Sequence, residues 1–292
     1  MKLVTFALNG KNRPGVLVNN RVIDLAAEGL PSGPDGDLLE IIRGGKPMLE
    51  KIAALSARSD AISYGLKEVT LAAPVVDPQK VIGIGLNYVD HCKEANLKVP
   101  NAPIVFTKFS SSVTGPYADI FWTQGVTTEV DYEVELGIVI GKAARDVSEA
   151  AALDYVLGYT VVNDVTARDM QFSDDAGQWD RGKSLDSFCP YGPYIVTKDE
   201  IPNPQSLDMT CVLNGKEMQR SNTSNMIFGV AKIISFISQS TTLLPGDLIA
   251  TGTPFGVGFS RKPPVYLQDG DFCICEVQGL GSVRNKVRVI KR

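Results

Sequence analysis

Hydrophobic and polar positions alternate in two styles along this chain. The first 75 residues open with a strand-like "KLVTFAL", a polar turn "NGKNRPG", a second run "VLV", then "NNR" and "VIDLA", which predicts a small meander of hairpins. Two amphipathic stretches follow, "DLLEIIRGG" and "PMLEKIAALSARS", the first stopped by a Gly pair. The prolines of "LAAPVVDPQK" disfavour helix before them and place a boundary near residue 75. Two units are therefore expected, a small α+β domain over 1–75 and a larger one over 76–292.

In the larger unit, β-branched runs recur between Gly and Pro: "KVIGIG", "PIVFTKF", "VELGIVIG", "VLGYTVVND", "GPYIVT", "MTCVLNG", "DLIATGT", "FCICEV" and "VRNKVRVI". Helical patterns are fewer, in "SEAAALDYV" and in "NMIFGVAKIISFISQS", where Met226, Ile227, Val230, Ile233, Ile234 and Ile237 recur at helical spacing. There is no strict βαβ alternation, so the class is α+β and mainly β.

Composition changes this picture little: 292 residues, 44% hydrophobic and 21% charged, are ordinary for a globular chain. A net charge of -4 and a single histidine provide neither a basic stripe for nucleic acid nor an imidazole cluster for zinc. There is no apolar run of membrane-spanning length, and the opening "MKLVTFALNGKNRPG" has no signal-like core. The expectation is a soluble, cytoplasmic protein with no membrane partner. Five scattered cysteines without a CxxC pair fit reduced thiols.

Candidate chemistry begins in "EVDYEVELGI", where Glu129, Asp131, Glu133 and Glu135 alternate with apolar residues. As one strand this would line four carboxylates along one face. The continuation "LGIVIG" is apolar on both faces, and carboxylates entering a buried run must be protonated, paired or bound to a cation. Glu133 and Glu135 lie nearest the apolar end, and hard oxygen donors without His or Cys select Mg²⁺, Mn²⁺ or Ca²⁺. In "GYTVVNDVTARDMQ", Asp164 ends an apolar run and is either a third ligand or the N-cap of the next turn; Arg168 and Asp169 read equally as a surface ion pair.

His91 and Glu94 share a face if "VDHCKE" is helical, an arrangement suited to a general base near neutral pH. "GIGLNY" has Tyr88 where a dinucleotide fingerprint needs its third glycine, so that reading is rejected. Lys183 and Lys108 stand in otherwise uncharged settings, able to hold a substrate carboxylate or simply solvated. "LIATGTPFGVG" is a strand ending in a Gly-rich loop whose N–H groups could receive a carboxylate, or a tight turn.

Five motifs, "GLNYVDHCKE", "EVDYEVELGIVIGK", "GYTVVNDVTARDMQ", "RGKSLDSFCPYGP" and "LIATGTPFGVG", resemble in order and spacing the fumarylacetoacetate hydrolase family across residues 81–292. With "RKPPVYL", they look most like its oxaloacetate tautomerase branch, which also admits a mitochondrial matrix location if a presequence has been removed. The resemblance implies a mixed β-sandwich roll, usually a homodimer, with a small N-terminal domain. It implies Mg²⁺ or Mn²⁺ on Glu133, Glu135 and Asp164, and His91 with Glu94 as a proton-transfer dyad on a lid. Lys183 would face the substrate's oxygens, with Gln171 and Thr253, like Lys108, as substrate contacts; Glu129 and Asp131 would be solvated or outside the ligand set. The expected activity is on a small 2-oxo acid through a metal-stabilised enolate, with tautomerisation of oxaloacetate first. The alternatives are acylpyruvate hydrolysis, oxaloacetate decarboxylation, or a metal-stabilised binding module without activity.

Overall fold

The computed structural model describes residues 1–94, 96–173 and 177–292. Among these, twelve strands join one mixed sheet and five form a second. The large sheet runs Ser63–Gly65, Arg21–Asp24, Lys11–Val18, Lys2–Leu8, Cys189–Thr197, Val156–Asn163, Val134–Ile140, Leu248–Ala250, Val81–Gly85 and Ile104–Lys108, with two short strands off this path. The strands of residues 1–75 thus continue the same sheet, because Lys2–Leu8 pairs antiparallel with Cys189–Thr197. The second sheet runs Lys216–Asn222, Asp208–Leu213, Phe272–Val277, Gly281–Ile290 and Ile120–Thr123. No helix among the described residues is long and apolar enough to cross a membrane.

The apolar runs are continuous because the central strands are covered on both sides. Leu136, Ile138 and Ile140 face a core shared with the second sheet and the helix Val230–Ser240. Val139, from the opposite face, joins Leu3, Ile41, Ile52 and Leu248 in a core under the helix Gly45–Ser56.

Local structure departs from the sequence pattern in four places. The first turn is tighter than "NGKNRPG": Asn9 and Gly10 both have positive φ, the two-residue hairpin geometry, so the strand Lys11–Val18 begins inside the expected turn. "SEAAALDYV" forms a 3-10 helix over Glu149–Tyr155. The later helix begins only at Val230, because Asn87 holds the preceding backbone: its carbonyl accepts from the Ile227 N–H and its side chain from that of Phe228.

The acidic run is not one strand. Val130–Asp131 pairs with Thr166–Ala167, the ladder breaks, and Val134–Ile140 joins the large sheet. Side chains take over the missing ladder bonds, since buried N–H groups must be satisfied. Asp131 Oδ1 accepts from the Tyr132 N–H at 2.9 Å, Asn163 Oδ1 from Glu133 at 3.0 Å and Gln219 Oε1 from Val134 at 2.9 Å.

Close sheet packing depends on Gly158, where a Cβ would stand 2.1 Å from the Val196 carbonyl oxygen. Gly158→Ala should destabilise by about 1 to 3 kcal/mol through overpacking, read as a lower Tm in calorimetry; an unchanged Tm would contradict this contact.

Candidate functional site

The site forms where several strand ends converge. Val134 pairs with Asn163, so Glu133 and Asp164 emerge side by side, and the Asp164 N–H donates to the Glu133 carbonyl at 2.9 Å. Leu248–Ala250, antiparallel to Val134–Ile140, delivers the loop from Thr251 to Phe259 to the same end. Val81–Gly85 runs parallel to it and leads into the short helix Val89–Glu94. Gly182 lets the helix Trp179–Lys183 lie against Arg168–Gln171, for a Cβ there would stand 2.6 Å from the Gln171 nitrogen.

Glu133, Glu135 and Asp164 are buried, and one carboxylate oxygen of each lies within 4.8 Å of the others. The Lys183 ammonium donates to Asp164 Oδ2 at 2.6 Å, Thr166 Oγ1 at 2.8 Å and Glu133 Oε2 at 3.1 Å. Lys108 donates to Asp164 Oδ1 at 2.6 Å and to the Val165 carbonyl at 3.1 Å. Arg168 bridges Asp131 Oδ2, at 2.9 and 2.8 Å, and Glu133 Oε1, at 2.6 Å. Burial opposes the Asp164 charge, but the ammonium groups of Lys108 and Lys183 outweigh it and hold the carboxyl below its ordinary range. Lys183 is raised in return: burial disfavours its charge, and Asp164 and Glu133 more than offset that.

Among the described residues Glu135 has no such cation. It accepts from the Gly252 N–H, 2.8 Å from Oε2, and burial, then the charges of Asp164 and Glu133, push its carboxyl well above the usual range. A buried carboxylate cluster of this kind calls for positive charge, and the donor set is oxygen throughout. Oxygens bound about 2.1 Å from a common octahedral centre stand about 3 to 4 Å apart, so the three residues fit Mg²⁺ or Mn²⁺. Such an ion would share Glu133 and Asp164 with Lys183.

A cavity of about 80 Å³ opens beside these acids. That is room for several water molecules, the scale of a small organic acid. His91, Glu133, Glu135, Arg168, Gln171, Lys183 and Thr253 form its polar side. Lys108 and Asp164 are not among the lining residues; Lys108 is committed to Asp164. Gln171 Oε1 accepts from Arg168, which leaves its NH₂ for the cavity, whereas the Thr253 hydroxyl donates to the Val134 carbonyl and accepts from Gln219. His91 Nδ1 stands 3.8 Å from Glu94 Oε2, longer than a hydrogen bond, and has no other partner among the described residues. Burial raises Glu94, but nearby His91, the Gly256 N–H and Arg261 outweigh it and keep the carboxyl below its ordinary value.

Asp131 is fully buried rather than solvated, and Arg168 is a buried partner of the acids rather than half of a surface pair with Asp169. Asp169 instead accepts from the Thr127 hydroxyl. Glu129 is half-buried and accepts from the Tyr266 hydroxyl at 3.2 Å. The Gly-rich loop does receive carboxylates, and they are the protein's own. Gly252 donates to Glu135, Gly256 to Glu94, and Gly258 and Phe259 to Asp131. Positive φ at Gly252 and Gly256 aims these N–H groups where other residues would be strained. The apolar wall of Phe106 and Trp179 was not foreseen. A Cβ at Gly83 would stand 2.1 Å from the Phe106 ring and one at Gly85 2.6 Å from Trp179, so the glycines of "GIG" make room for rings.

An all-oxygen acidic triad, two of whose members share a buried lysine, lies at one end of a mixed sheet beside a small cavity and is a candidate hard-cation site. Residues 80–288 match the family described as Fumarylacetoacetate (FAA) hydrolase C-terminal, and the chain belongs to this family. It is 44% identical over 273 residues, 89% of this chain and 86% of the other, to a Bos taurus protein named oxaloacetate tautomerase FAHD2A, mitochondrial. Among solved structures, a fumarylacetoacetate hydrolase from Exiguobacterium antarcticum superposes with a TM-score of 0.86 at 39% identity, covering 99% of each chain. A maleylpyruvate hydrolase from Sphingobium sp. SYK-6, in complex with manganese(II) and pyruvate, superposes with a TM-score of 0.82 at 30% identity, covering 100% of this chain and 99% of the other.

Two outcomes follow from the charge arrangement. Asp131→Ala leaves Arg168 partly unpaired in a dry interior and should cost about 3 to 5 kcal/mol in denaturant unfolding. Glu129→Ala should stay within about 0.5 kcal/mol of the parent, and equal effects would refute the distinction. Glu135→Gln should melt no lower than the parent in EDTA. It should also lose the Mg²⁺-dependent rise in Tm, which at 100 times Kd corresponds to about 2.7 kcal/mol; a rise that survives the substitution would remove Glu135 from the ligand set.

Proposed function

We propose that this chain is an oxaloacetate keto-enol tautomerase that works with Mg²⁺ or Mn²⁺. The observation that carries the reading is the placement of Lys183 and His91 on one small cavity floored by Glu133 and Glu135. Glu133, Glu135 and Asp164 would hold the cation, which when bound would supply Lewis acidity toward a substrate oxygen. The names of the curated relatives support the choice of substrate.

The residues divide the work as follows. Lys183 is held in its charged form by Asp164 and Glu133 and presents that charge to the C2 oxygen, where negative charge develops as C3 loses a proton. His91 moves that proton between C3 and the oxygen, with the Glu94 carboxylate 3.8 Å from its Nδ1 to orient the ring. Gln171 donates to the substrate carboxylate, and Thr253 positions the loop that carries Gly252. Lys108 acts beneath the cavity by keeping Asp164 ionised. The apolar wall of Leu97, Phe106, Trp179 and Phe259 limits water, which suits a reaction that only exchanges a C–H bond for an O–H bond, or the reverse.

A second reading, hydrolysis of an acylpyruvate, draws on the solved relative named a maleylpyruvate hydrolase. It needs a water placed against the C4 carbonyl, and one pair of assays separates the two. With Mg²⁺, the protein should speed the decay of enol ultraviolet absorbance in oxaloacetate. His91→Ala should slow this by about 10² to 10⁴ while keeping the Mg²⁺-dependent rise in Tm. No acceleration with oxaloacetate, together with cleavage of acetylpyruvate to pyruvate and acetate, would overturn the tautomerase reading.

A further inference from the structure

Three of the five cysteines meet in the second sheet. Along Phe272–Val277 the side chains alternate, with Phe272 and Glu276 exposed and Cys273 and Cys275 buried on the other face. Cys211, on the adjacent antiparallel strand Asp208–Leu213, is the register partner of Cys275 and lies diagonal to Cys273. The three sulfurs lie within 4.8 Å of one another, with Cys211 and Cys273 at 3.7 Å. Cys92 and Cys189 are not part of the group.

The cluster is separate from the acidic site but linked to it by one side chain. Asn163 donates its amide to Cys273 Sγ at 3.8 Å, accepts from the Glu133 N–H at 3.0 Å, and directly precedes Asp164.

We propose that Cys211, Cys273 and Cys275 form a three-sulfur binding site for a trivalent thiophile of the arsenite type. Three sulfurs about 2.3 Å from a pyramidal trivalent centre stand about 3.5 Å apart, close to the 3.7 Å between Cys211 and Cys273. Among the described residues no fourth His, Cys, Asp or Glu joins them. Zinc, four-coordinate in closed sites, would lack a ligand and would leave a net negative charge on three thiolates in an apolar core. Arsenite avoids both difficulties. As(OH)₃ exchanges with three thiols to give As(SR)₃ and three waters. Each exchange breaks one As–O and one S–H bond and forms one As–S and one O–H bond, with no electrons transferred and no net charge at either end. The sulfurs are fully buried, so entry requires a transient opening of the sheet and loading is slow.

The test is prolonged incubation of the folded, full-length protein with arsenite, followed by native mass spectrometry and arsenic X-ray absorption. The expected result is one arsenic gained and three hydrogens lost per chain, with three sulfur neighbours and no oxygen around arsenic. Cys211→Ala and Cys275→Ala should each weaken binding beyond the about 100-fold that loss of an outer partner costs. Cys92→Ala and Cys189→Ala should not change it. No adduct, an arsenic retaining an oxygen neighbour, or an adduct abolished by Cys92→Ala or Cys189→Ala overturns the proposal. Because the absorption measurement uses the unaltered protein, it decides the matter even if a variant folds poorly.

Discussion

Everything at this site depends on the balance of charge among side chains buried from solvent. Asp131, Glu133, Glu135 and Asp164 bring four carboxylates together, and Lys108, Arg168 and Lys183 bring three cations. Buried ions of one sign survive only when each is paired and hydrogen-bonded. Three of the acids meet that condition through protein cations. Glu135 does not, and it stands where the cavity begins, its carboxyl pushed towards the neutral form unless a cation joins it. A divalent ion would leave the site one charge positive, the condition for retaining an anionic ligand.

The backbone is bent around the same requirement. An unbroken strand from Val130 to Ile140 would give each N–H a ladder partner, but Asp131 would then stay in register with the other acids. The break at Tyr132 and Glu133 lets Asp131 turn toward Arg168 and the loop N–H groups of Gly258 and Phe259. Asn163 and Gln219 restore the lost backbone bonds. The loop from Thr251 to Phe259 is consequently shaped by carboxylates, three of which it holds. Acidic residues here serve twice, as candidate ligands or proton partners and as acceptors that set the loop's course.

Much of this was legible in the sequence, for reasons that also explain what was not. Apolar runs with turn residues identify strands, because period and punctuation are local. Glu133, Glu135 and Asp164 stood out because each borders a run that must be buried. Arg168 did not, since its partners lie 35 and 37 positions away and no local pattern records such a pairing. Lys108 was visible as a lone charge in apolar surroundings, but nothing local says that its ammonium turns to Asp164 instead of the cavity. The glycines of "GIG" look like part of a phosphate-binding turn in sequence, but the space they leave is filled by Phe106 and Trp179.

That last substitution of purpose bears on how one site could serve different reactions. The acids and lysines stabilise charge on an oxygen whatever happens at the neighbouring carbon, so they cannot choose between moving a proton and admitting a water. The choice falls to the walls. Phe106 and Trp179 meet edge to face at 5.7 Å, and Phe259 is packed under the Arg168 guanidinium at 4.3 Å and edge-on to His91 at 6.3 Å. These rings are set by Gly83, Gly85 and the Asp131-anchored loop. On the proposed function, selectivity between tautomerisation and hydrolysis would rest on packing behind the site, where small residues set how closely an aromatic wall approaches the cavity.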